Sequence, residues 1–469
     1  YRLRMYVTEE YNPQGDGGGL QFSVKINVYG KDGDRPLSAG ETVIENLTSG
    51  DTFDDGVDTF ITGEDPNNYI WYSGKLWRAV SVNNAAKTTK LVTQWNISAV
   101  NYSSRSIAFE GSYMEDWLND TSVDGFLGNL RDYENFIVTD AKWNATLDAT
   151  HLGSITRPSD SGTIVTASVG LLNTYEYQSS NNGETDGYLN NGLYWWTLTP
   201  YSSSYVQRVN EDGKDSFDSP FYAYGVRPSV NLKSNVKIVN GDGTEDNPYR
   251  LAGDNDTNLL GMMLSSRYSG EYVKFGNADN DLYRIVSHET PGLTKITSAE
   301  PLKNSGTFIT SAFDSNSSVS YSSSTTIGAF LNGEYLTNYV DNTYSDMIED
   351  SSTWYLGTVG SSDSYKLAKY TDINMSSTTG AIVEAKVGLL RLGELMAGQF
   401  DRYSNNTNYW LLTPHISFLI HAVNYPGDAY YNGGLTDARG VRPSLNLKSN
   451  VVITGGDGTL NSPFTLALQ

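Results

Sequence analysis

The chain has 469 residues, no cysteine and a formal net charge of −22, because 54 acidic residues outnumber 32 basic ones. The absence of cysteine excludes thiol catalysis, thiolate metal sites and disulfides. An acidic chain with no basic cluster repels phosphates, so we expect neither nucleic acid nor an anionic membrane surface as a partner. The length predicts about three domains, and 33 tyrosines and 45 glycines are typical of a folded, turn-rich chain.

Residues 1–62 match no other part of the chain, and we predict a small β-rich domain there. Leu3–Val7 and Leu20–Tyr29 alternate apolar and polar residues, as half-buried strands do. The chain opens on Tyr1 rather than Met, so we expect a processed or incomplete product. No apolar run approaches the roughly 18 residues that a membrane-spanning helix needs. We therefore predict no membrane insertion within this chain.

The strongest feature of the sequence is an internal duplication. The first copy contains YWWTLTP, a loop, GVRPSVNLKSNV and GDGTEDNPYRL, and the second contains NYWLLTP, a loop, GVRPSLNLKSNV and GDGTLNSPFTL. Trp196 corresponds to Trp410, 214 residues later, and Arg227 corresponds to Arg442, 215 residues later. Long-range similarity of this kind indicates a duplicated domain and not a solenoid of short repeats. We predict one domain over 63–253, a polar linker over 254–265 and a second domain over 266–469.

Within each copy the patterns predict an α+β fold that is mostly β. Alternating residues predict strands, and apolar residues three and four positions apart predict short helices. The predicted strands are Lys75–Val82 and Thr89–Thr93, and the predicted helices are Tyr113–Asn119 and Val387–Met396.

Four residues that both copies keep are predicted to be structural: Trp196, Trp410, Arg227 and Arg442. The two arginines could instead be anion ligands. We favour a structural role, because each arginine lies within an otherwise apolar strand, where a buried guanidinium needs fixed hydrogen-bond partners.

Between these anchors the two copies diverge, and we predict that the divergent loops contact a ligand. Tyrosine offers contact area at a low entropy cost, and it is accordingly enriched in binding surfaces. The alternative is a solvated loop that drifted after the duplication. The candidate contact residues are Tyr201, Tyr205, Arg208, Asp212, Asp215, Tyr222 and Tyr224 in the first copy, and His415, Phe418, His421, Tyr425, Asp428, Tyr430, Tyr431 and Arg439 in the second.

These motifs, together with the WYSGKLWR strand over 71–78, resemble a domain repeated in surface proteins of Gram-positive, often gut-dwelling bacteria. That domain resembles the C-type lectin fold, in the form shared with formylglycine-generating enzymes and retroelement-diversified variable proteins. The resemblance implies two tandem lectin-like modules whose W-x-L-T-P and G-V-R strands frame ligand-binding loops. The catalytic cysteines of the formylglycine-generating enzymes have no counterpart in this cysteine-free chain.

Metal sites are weakly indicated, and we predict no cofactor, with calcium as the alternative. Aspartate clusters occur at 54–58, 254–256 and 279–281, but none has the full calcium loop D-x-D-x-D-G-x5-E. The lectin Glu-Pro-Asn triplet is also absent. His415 and His421 have no third zinc ligand at a recognisable spacing, so we interpret them as loop histidines.

No catalytic motif stands out, so we predict a non-enzymatic, extracellular protein of the bacterial cell surface. Two interpretations stay open. The chain could be a structural or adhesive subunit of a surface filament or layer, which would make it a partner of itself, or a monomeric adhesin. Its further partners would be glycans or proteins on other cells or in the matrix. A secreted glycan-processing enzyme is a remote alternative.

Overall fold

The computed structural model describes residues 35–47, 51–103, 106–123, 125–149, 156–181, 186–288, 290–357, 382–397 and 407–469. Residues from Leu37 to Gln469 belong to one compact unit. The fold is α+β and mostly β, as the sequence predicts. The strands expected at Leu3–Val7 and Leu20–Tyr29 lie outside the described residues.

The first half of this unit ends with residue 251. Its helices are α1 Ala39–Asn46, α2 Tyr113–Leu118, α3 Tyr133–Phe136 and α4 Thr174–Ser180, with a 3-10 helix at Leu127–Asn129. Its strands are β1 Thr52–Asp54, β2 Asp58–Ile61, β3 Tyr69–Tyr72, β4 Lys75–Asn83, β5 Thr89–Thr93, β6 Ser98–Asn101, β7 Ala141–Asn144, β8 Ile164–Ala167, β9 Val169–Gly170, β10 Trp195–Pro200, β11 Val206–Val209, β12 Asp215–Asp218, β13 Ala223–Val226, β14 Ser229–Leu232, β15 Ile238–Asn240 and β16 Tyr249–Leu251.

The second half begins with a 3-10 helix at Leu264–Ser266. Its helices are α5 Thr326–Leu331, α6 Glu334–Asn338 and α7 Asn342–Ser345, with a further 3-10 helix at Leu392–Ala397. Its strands are β17 Tyr272–Lys274, β18 Leu282–Ser287, β19 Thr294–Ser298, β20 Lys303–Asn304, β21 Thr307–Phe308, β22 Thr310–Ser311, β23 Ser352–Tyr355, β24 Ile382–Ala385, β25 Val387–Leu389, β26 Tyr409–Ile416, β27 Leu419–Val423, β28 Ala429–Gly433, β29 Arg439–Gly440, β30 Pro443–Leu447, β31 Val451–Gly455 and β32 Thr465–Leu468.

The two halves repeat the same two sheets, strand for strand. The first sheet contains β3-β4-β5-β14-β9 in one half and β17-β18-β19-β30-β25 in the other. The second sheet has the orders β12-β11-β10-β13-β6 and β28-β27-β26-β29-β22. The closing hairpin of each half also pairs parallel to the first strand, with Tyr249 opposite Ile70 and Phe464 opposite Val273. The sequence duplication is therefore a duplication of topology.

Buried hydrogen bonds are duplicated along with the strands. Asn119, which follows α2, accepts the amide of Val169 at 2.9 Å and donates to its carbonyl at 3.0 Å. Asn332, which follows α5, makes the same two bonds to Val387, at 3.0 and 3.1 Å. A side-chain amide that satisfies both polar groups of a strand residue fixes how the helix meets the sheet.

Residues 37–47 and 51–61 are part of the first half, although the sequence suggested a separate domain over 1–62. Strand β2 pairs with the far end of β4, with Thr59 opposite Val82. Helix α1 starts with a capping box between Ser38 and Glu41. Gly40 permits close packing, because a Cβ there would lie 2.4 Å from the Val82 side chain. The boundary expected after residue 62 thus follows a hairpin of the larger sheet.

The segment 254–265, expected to be a polar linker, takes part in the junction between the halves. Asp254 is buried and accepts the amide of Ser73 at 3.1 Å. Asp256 binds two arginines, with its Oδ2 at 2.6 Å from Arg131 Nη1 and 2.9 Å from Arg267 Nη1. These ion pairs join the halves, because Arg131 belongs to the first and Arg267 to the second.

A shared apolar cluster also joins the halves. Buried side chains from both contribute to it, including Leu193, Ala223, Val286, Leu390 and Leu411. Burial of apolar area stabilises by about 25 cal/mol per Å², so this contact holds the halves in one arrangement. The divergent loops of both halves therefore belong to one compact unit.

Candidate functional site

The first divergent loop forms an aromatic ledge, which consists of Tyr201 and Tyr205 in the turn between β10 and β11 and Phe217 on β12. The rings of Tyr201 and Phe217 stack, with centroids 3.9 Å apart and an interplanar angle of 3°. Tyr205 packs against Phe217 at 5.4 Å, and its carbonyl accepts the Tyr201 amide at 2.9 Å. Tyr205 remains 41% exposed. The ledge is therefore preformed and partly open to a ligand.

Arg208, on β11, is held between two aromatic rings. Its guanidinium carbon lies 4.9 Å from the ring centroid of Tyr194 and 4.5 Å from that of Tyr224. Asp218 receives the Tyr224 hydroxyl hydrogen bond at 2.7 Å and lies 3.5 Å from Arg208 Nη2. Burial, and next the hydrogen bond to Asp218, raise the pKa of Tyr224 well above its usual range. The result is an immobilised cation beside the ledge.

The remaining candidates of the first copy differ in exposure. Tyr222 is 55% exposed, with its ring 6.0 Å from that of Tyr224. Asp212 lies on the turn between β11 and β12 and binds Lys214 Nζ at 2.9 Å, a hydrogen bond that lowers the pKa of this carboxyl. Asp215 is buried in β12, so it belongs to the support rather than the surface.

In the second copy the two histidines lie on strands and not in a loop. His415 is in β26 and His421 is in β27, and both are buried. Their rings meet edge to face, with centroids 5.3 Å apart. Phe418 lies at the turn between these strands and is 62% exposed. The tip of the hairpin formed by β26 and β27 therefore offers one apolar ring.

Arg439, on β29, is the stacked cation of the second copy. Its guanidinium carbon lies 4.9 Å from the Trp410 ring centroid and 5.0 Å from that of Tyr430. Its Nη2 lies 3.2 Å from Asp437 Oδ2. Burial lowers the pKa of Arg439. An arginine between aromatic rings and next to an aspartate thus occurs in both copies.

The two arginine stacks are built from different strands in the two copies. In the first copy Arg208 on β11 faces Tyr224 on β13. In the second copy Arg439 occupies the position equivalent to Tyr224, and its aromatic partner Tyr430 lies on β28, opposite Ala422. The copies therefore differ in sequence at every one of these positions but keep the same type of contact.

The second divergent loop touches the first half. The amide of Tyr194 donates to the Pro426 carbonyl at 2.7 Å, and the amide of Tyr425 donates to Asn408 Oδ1 at 2.9 Å. Asp428 follows, and burial raises its pKa while nearby Arg208 opposes this shift. Asp428 therefore lies close enough to Arg208 to interact with its charge, whereas the hydrogen bond of Tyr425 to Asn408 stays within the second half. Strand β28 also contains Tyr431, whose side chain lies outside the described part of the chain.

The residues predicted to be structural are all buried. Trp196 and Trp410 donate their indole N–H to the carbonyls of Val100 and Ser311, at 3.2 and 2.8 Å.

The two arginines of the GVRP motif have backbone carbonyls as partners. Arg227 donates to the carbonyls of Thr93 at 2.9 Å and Leu189 at 2.6 Å. Arg442 donates to the Ser298 carbonyl at 2.7 Å. This is the bonding that a structural role requires, and neither guanidinium faces solvent.

The aspartate clusters considered for calcium are engaged by basic side chains. Arg157 Nη1 lies 2.6 Å from Asp55 Oδ2 and 2.9 Å from Asp58 Oδ2. Asp281 lies 3.7 Å from Lys274 Nζ, and Asp256 binds the two arginines of the junction. Among the residues that the structure describes, no group of three or more His, Cys, Asp or Glu is placed to hold a metal ion.

The structure contains two concave sites that the sequence analysis did not predict. A polar cavity of about 400 Å³ lies between the first sheet and the hairpin β7–β8, and it contains the Lys90–Glu176 ion pair. A groove of about 230 Å³ lies between the halves and is lined by Trp71, Trp95 and Tyr272. Glu176 and Glu394 occupy matching positions, and each pairs with a lysine of its own half, Lys90 and Lys295. No sequence pattern reveals which surfaces of two copies face each other.

Comparisons with known proteins leave the family open. No family model, curated protein or solved structure matches this chain. No helix in the described ranges is long and apolar enough to cross a membrane. The resemblance to lectin-like surface modules therefore stays a prediction based on motifs.

Proposed function

We propose that this chain is a non-enzymatic, extracellular protein of the bacterial cell surface that binds glycan or protein ligands through its divergent loops. One observation carries the proposal. Each copy keeps an arginine stacked between aromatic rings, although the residues that build the stack change strands. Drift without constraint gives no reason for a cation–aromatic pair to be rebuilt at the same place.

The chemistry of the loop faces suits binding. Exposed Tyr205, Tyr222 and Phe418 present aromatic area, and Trp, Tyr and Arg are the residues that contribute most binding energy at interfaces. Arg208 is preorganised by its stack, which reduces the entropy that binding costs, whereas Arg439 is buried and supports the face from below. Because the two faces differ in composition, we expect them to recognise different ligands or different parts of one ligand.

A role as a subunit of a filament or layer is favoured by a separate surface. Leu260 is 72% exposed, and Met262 and Met263 are each 39% exposed. These three apolar side chains lie close together in sequence at the start of the second half. Exposed apolar patches mark contact sites more often than free surface, so this segment is where we expect a second copy of the chain to pack.

The binding proposal is tested with the purified chain on glycan and extracellular-matrix protein arrays. The double variant Tyr205→Ser/Tyr222→Ser and the variant Phe418→Ser should each weaken binding by about tenfold, as the loss of interface aromatics does. Val123→Ser is the matched control, because Val123 is 62% exposed but lies outside both faces. Equal binding by all variants would refute the loop assignment.

The assembly role is tested by electron microscopy of the same material. Regular filaments or sheets that disappear in Leu260→Ser would support it, whereas monodisperse particles that retain array binding would leave a monomeric adhesin. Turnover of any bound glycan, followed by mass spectrometry, would contradict a non-enzymatic role.

A further inference from the structure

The groove between the two halves has an aromatic interior. Trp71 and Tyr272 stack across the junction, with ring centroids 6.3 Å apart and an interplanar angle of 29°. Trp95 is half-buried and forms another wall, and Leu76 and Leu282 complete the apolar lining. The enclosed volume is about 230 Å³, which accommodates a small organic group but not a folded domain.

Both halves contribute equivalent segments to this groove. Leu76 and Leu282 are matching positions near the start of β4 and β18, and both line it. The loops of the GDGT motifs contribute Asp246 from the first copy and Asn461 from the second. Asn461 Nδ2 donates to the carbonyl of Asp246 at 2.8 Å and lies 3.2 Å from its carboxylate. The groove therefore exists only where both copies are present.

The rim of the groove is acidic. Glu245, Asp246 and Glu300 line it, and all three are exposed. No lysine, arginine or histidine is found among the described residues that line the groove, although the guanidinium carbon of Arg284 lies 4.4 Å from the Tyr272 ring centroid and so covers that ring. Glu300 forms an ion pair with Lys303, which lies outside the lining. Although the residue as a whole is exposed, the carboxyl of Glu245 is partly shielded from water, and this burial and the neighbouring acids Asp246 and Asp65 raise its pKa, while Arg78 opposes the shift.

Aromatic rings inside the groove and carboxylates at its rim are together complementary to a cation that carries apolar groups. The face of an indole or phenol ring attracts an ammonium group, and this attraction strengthens when the cation is partly desolvated. Carboxylates at the rim supply the opposite charge and draw a cation towards the groove. A neutral sugar could stack on the rings and donate hydroxyl hydrogen bonds to the carboxylates, but it lacks the charge–charge attraction that an ammonium group gains from them.

We propose that the groove between the halves binds an alkylammonium group, with Trp71 and Trp95 against its methyl or methylene groups and Glu245 and Asp246 beside its charge. The ammonium could come from a free quaternary amine or from a lysine side chain of a peptide. This site is separate from the divergent loops. Ligand binding by the loops and ammonium binding by the groove can therefore be tested independently.

Calorimetric titration of the full chain with choline tests the proposal. Choline should bind at least about tenfold more tightly than dimethylbutanol, its neutral isostere of the same shape, because a cation–aromatic contact with nearby carboxylates accounts for about that ratio. Nα-acetyl-lysine amide, titrated in parallel, distinguishes a lysine source from a quaternary amine. Equal affinity for the neutral isostere would overturn the proposal.

Variants locate the site. Glu245→Gln should weaken choline binding about fivefold, and Trp95→Ala should remove most of it. Trp95→Phe, which keeps an aromatic ring, should restore part of the binding and excludes a folding defect as the cause. Glu110→Gln is the control, since this exposed acid lies outside the groove. Choline binding that ignores Glu245 and Trp95, or methyl glucoside binding that depends on them equally, would contradict the assignment.

Discussion

Tyr224 and Arg439 occupy equivalent positions in the two copies, and each lies against the tryptophan that both copies keep. The ring centroid of Tyr224 is 5.1 Å from that of Trp196, and the guanidinium carbon of Arg439 is 4.9 Å from the ring centroid of Trp410. The equivalent tryptophan thus packs against a phenol ring in the first copy and against a guanidinium group in the second. Both groups can stack on an aromatic ring, which explains how this position changes without disrupting the sheet below.

The two arginine stacks should stabilise the fold. Arg208→Lys and Arg439→Lys should each lower the free energy of unfolding by ~1 kcal/mol, because an ammonium cannot replace the planar guanidinium between two rings. Urea denaturation followed by tryptophan fluorescence measures the change. Lys214→Arg is the control, since this side chain is exposed and pairs only with Asp212 among the described ion pairs. An unchanged midpoint for both stack variants would mean that the stacks do not contribute to stability.

The buried Arg227 should be more costly to replace. Its guanidinium donates to two carbonyls and lies 4.8 Å from the Trp195 ring. Arg227→Met should lower the free energy of unfolding by about 2–4 kcal/mol, because it leaves the buried carbonyls of Thr93 and Leu189 unsatisfied. Arg157→Met, at a partly exposed ion pair, is the comparison and should cost less than half as much. A loss at Arg227 as small as that at Arg157 would point to a role other than support.

Much of the local structure could be predicted because the cause lies within a few residues. The strand Thr89–Thr93 has its predicted bounds, and Lys75–Val82 is one residue longer. The prediction of a helix over Val387–Met396 is wrong for the first part of that range, where the chain forms strand β25. A 3-10 helix follows at Leu392–Ala397. In β25, pairing of Val387 with Leu445 outweighs the local apolar spacing.

The candidate site was harder to predict, because exposure depends on the tertiary packing. Asp215 and His421 are polar residues in a divergent segment, yet both are buried on strands. Trp71 belongs to a motif that the sequence shows, but its contact with Tyr272 depends on how the copies pack together. Repetition in one chain reveals matching positions, but it carries no information on which surfaces meet.

The duplicated contact between a glycine and a tryptophan gives a test of matched positions. A Cβ at Gly170 would lie 2.4 Å from the Trp143 ring, and one at Gly388 would lie 2.5 Å from the Trp354 ring. Gly170→Ala and Gly388→Ala should each lower the free energy of unfolding by about 1–3 kcal/mol through overpacking. Gly434→Ala, where the nearest atom is a side-chain oxygen 3.2 Å away, is the control. If only one of the pair is destabilised, the two positions are not equivalent in packing.

The junction between the halves should respond to pH through Asp254. Burial raises the pKa of this carboxyl from 3.8 to about 7, against the pull of Arg131. The folded chain therefore holds a proton on Asp254 that the unfolded chain releases near pH 4. Stability rises with pH only where the unfolded state binds more protons, and for this group the folded state binds more. The contribution of Asp254 to the free energy of unfolding should consequently fall as the pH rises from about 4 to about 7.

Urea denaturation at several pH values, with wild type and Asp254→Asn compared, isolates this contribution. The asparagine keeps an oxygen for the Ser73 amide but cannot ionise, so the stability difference between the two proteins should shift in favour of Asp254→Asn as the pH rises through that range. Asp246→Asn is a control at an exposed carboxyl, where the pH dependence should follow wild type. A stability difference for Asp254→Asn that stays constant between pH 4 and 7 would mean that Arg131 keeps Asp254 ionised throughout, and that the junction is held by a permanent ion pair.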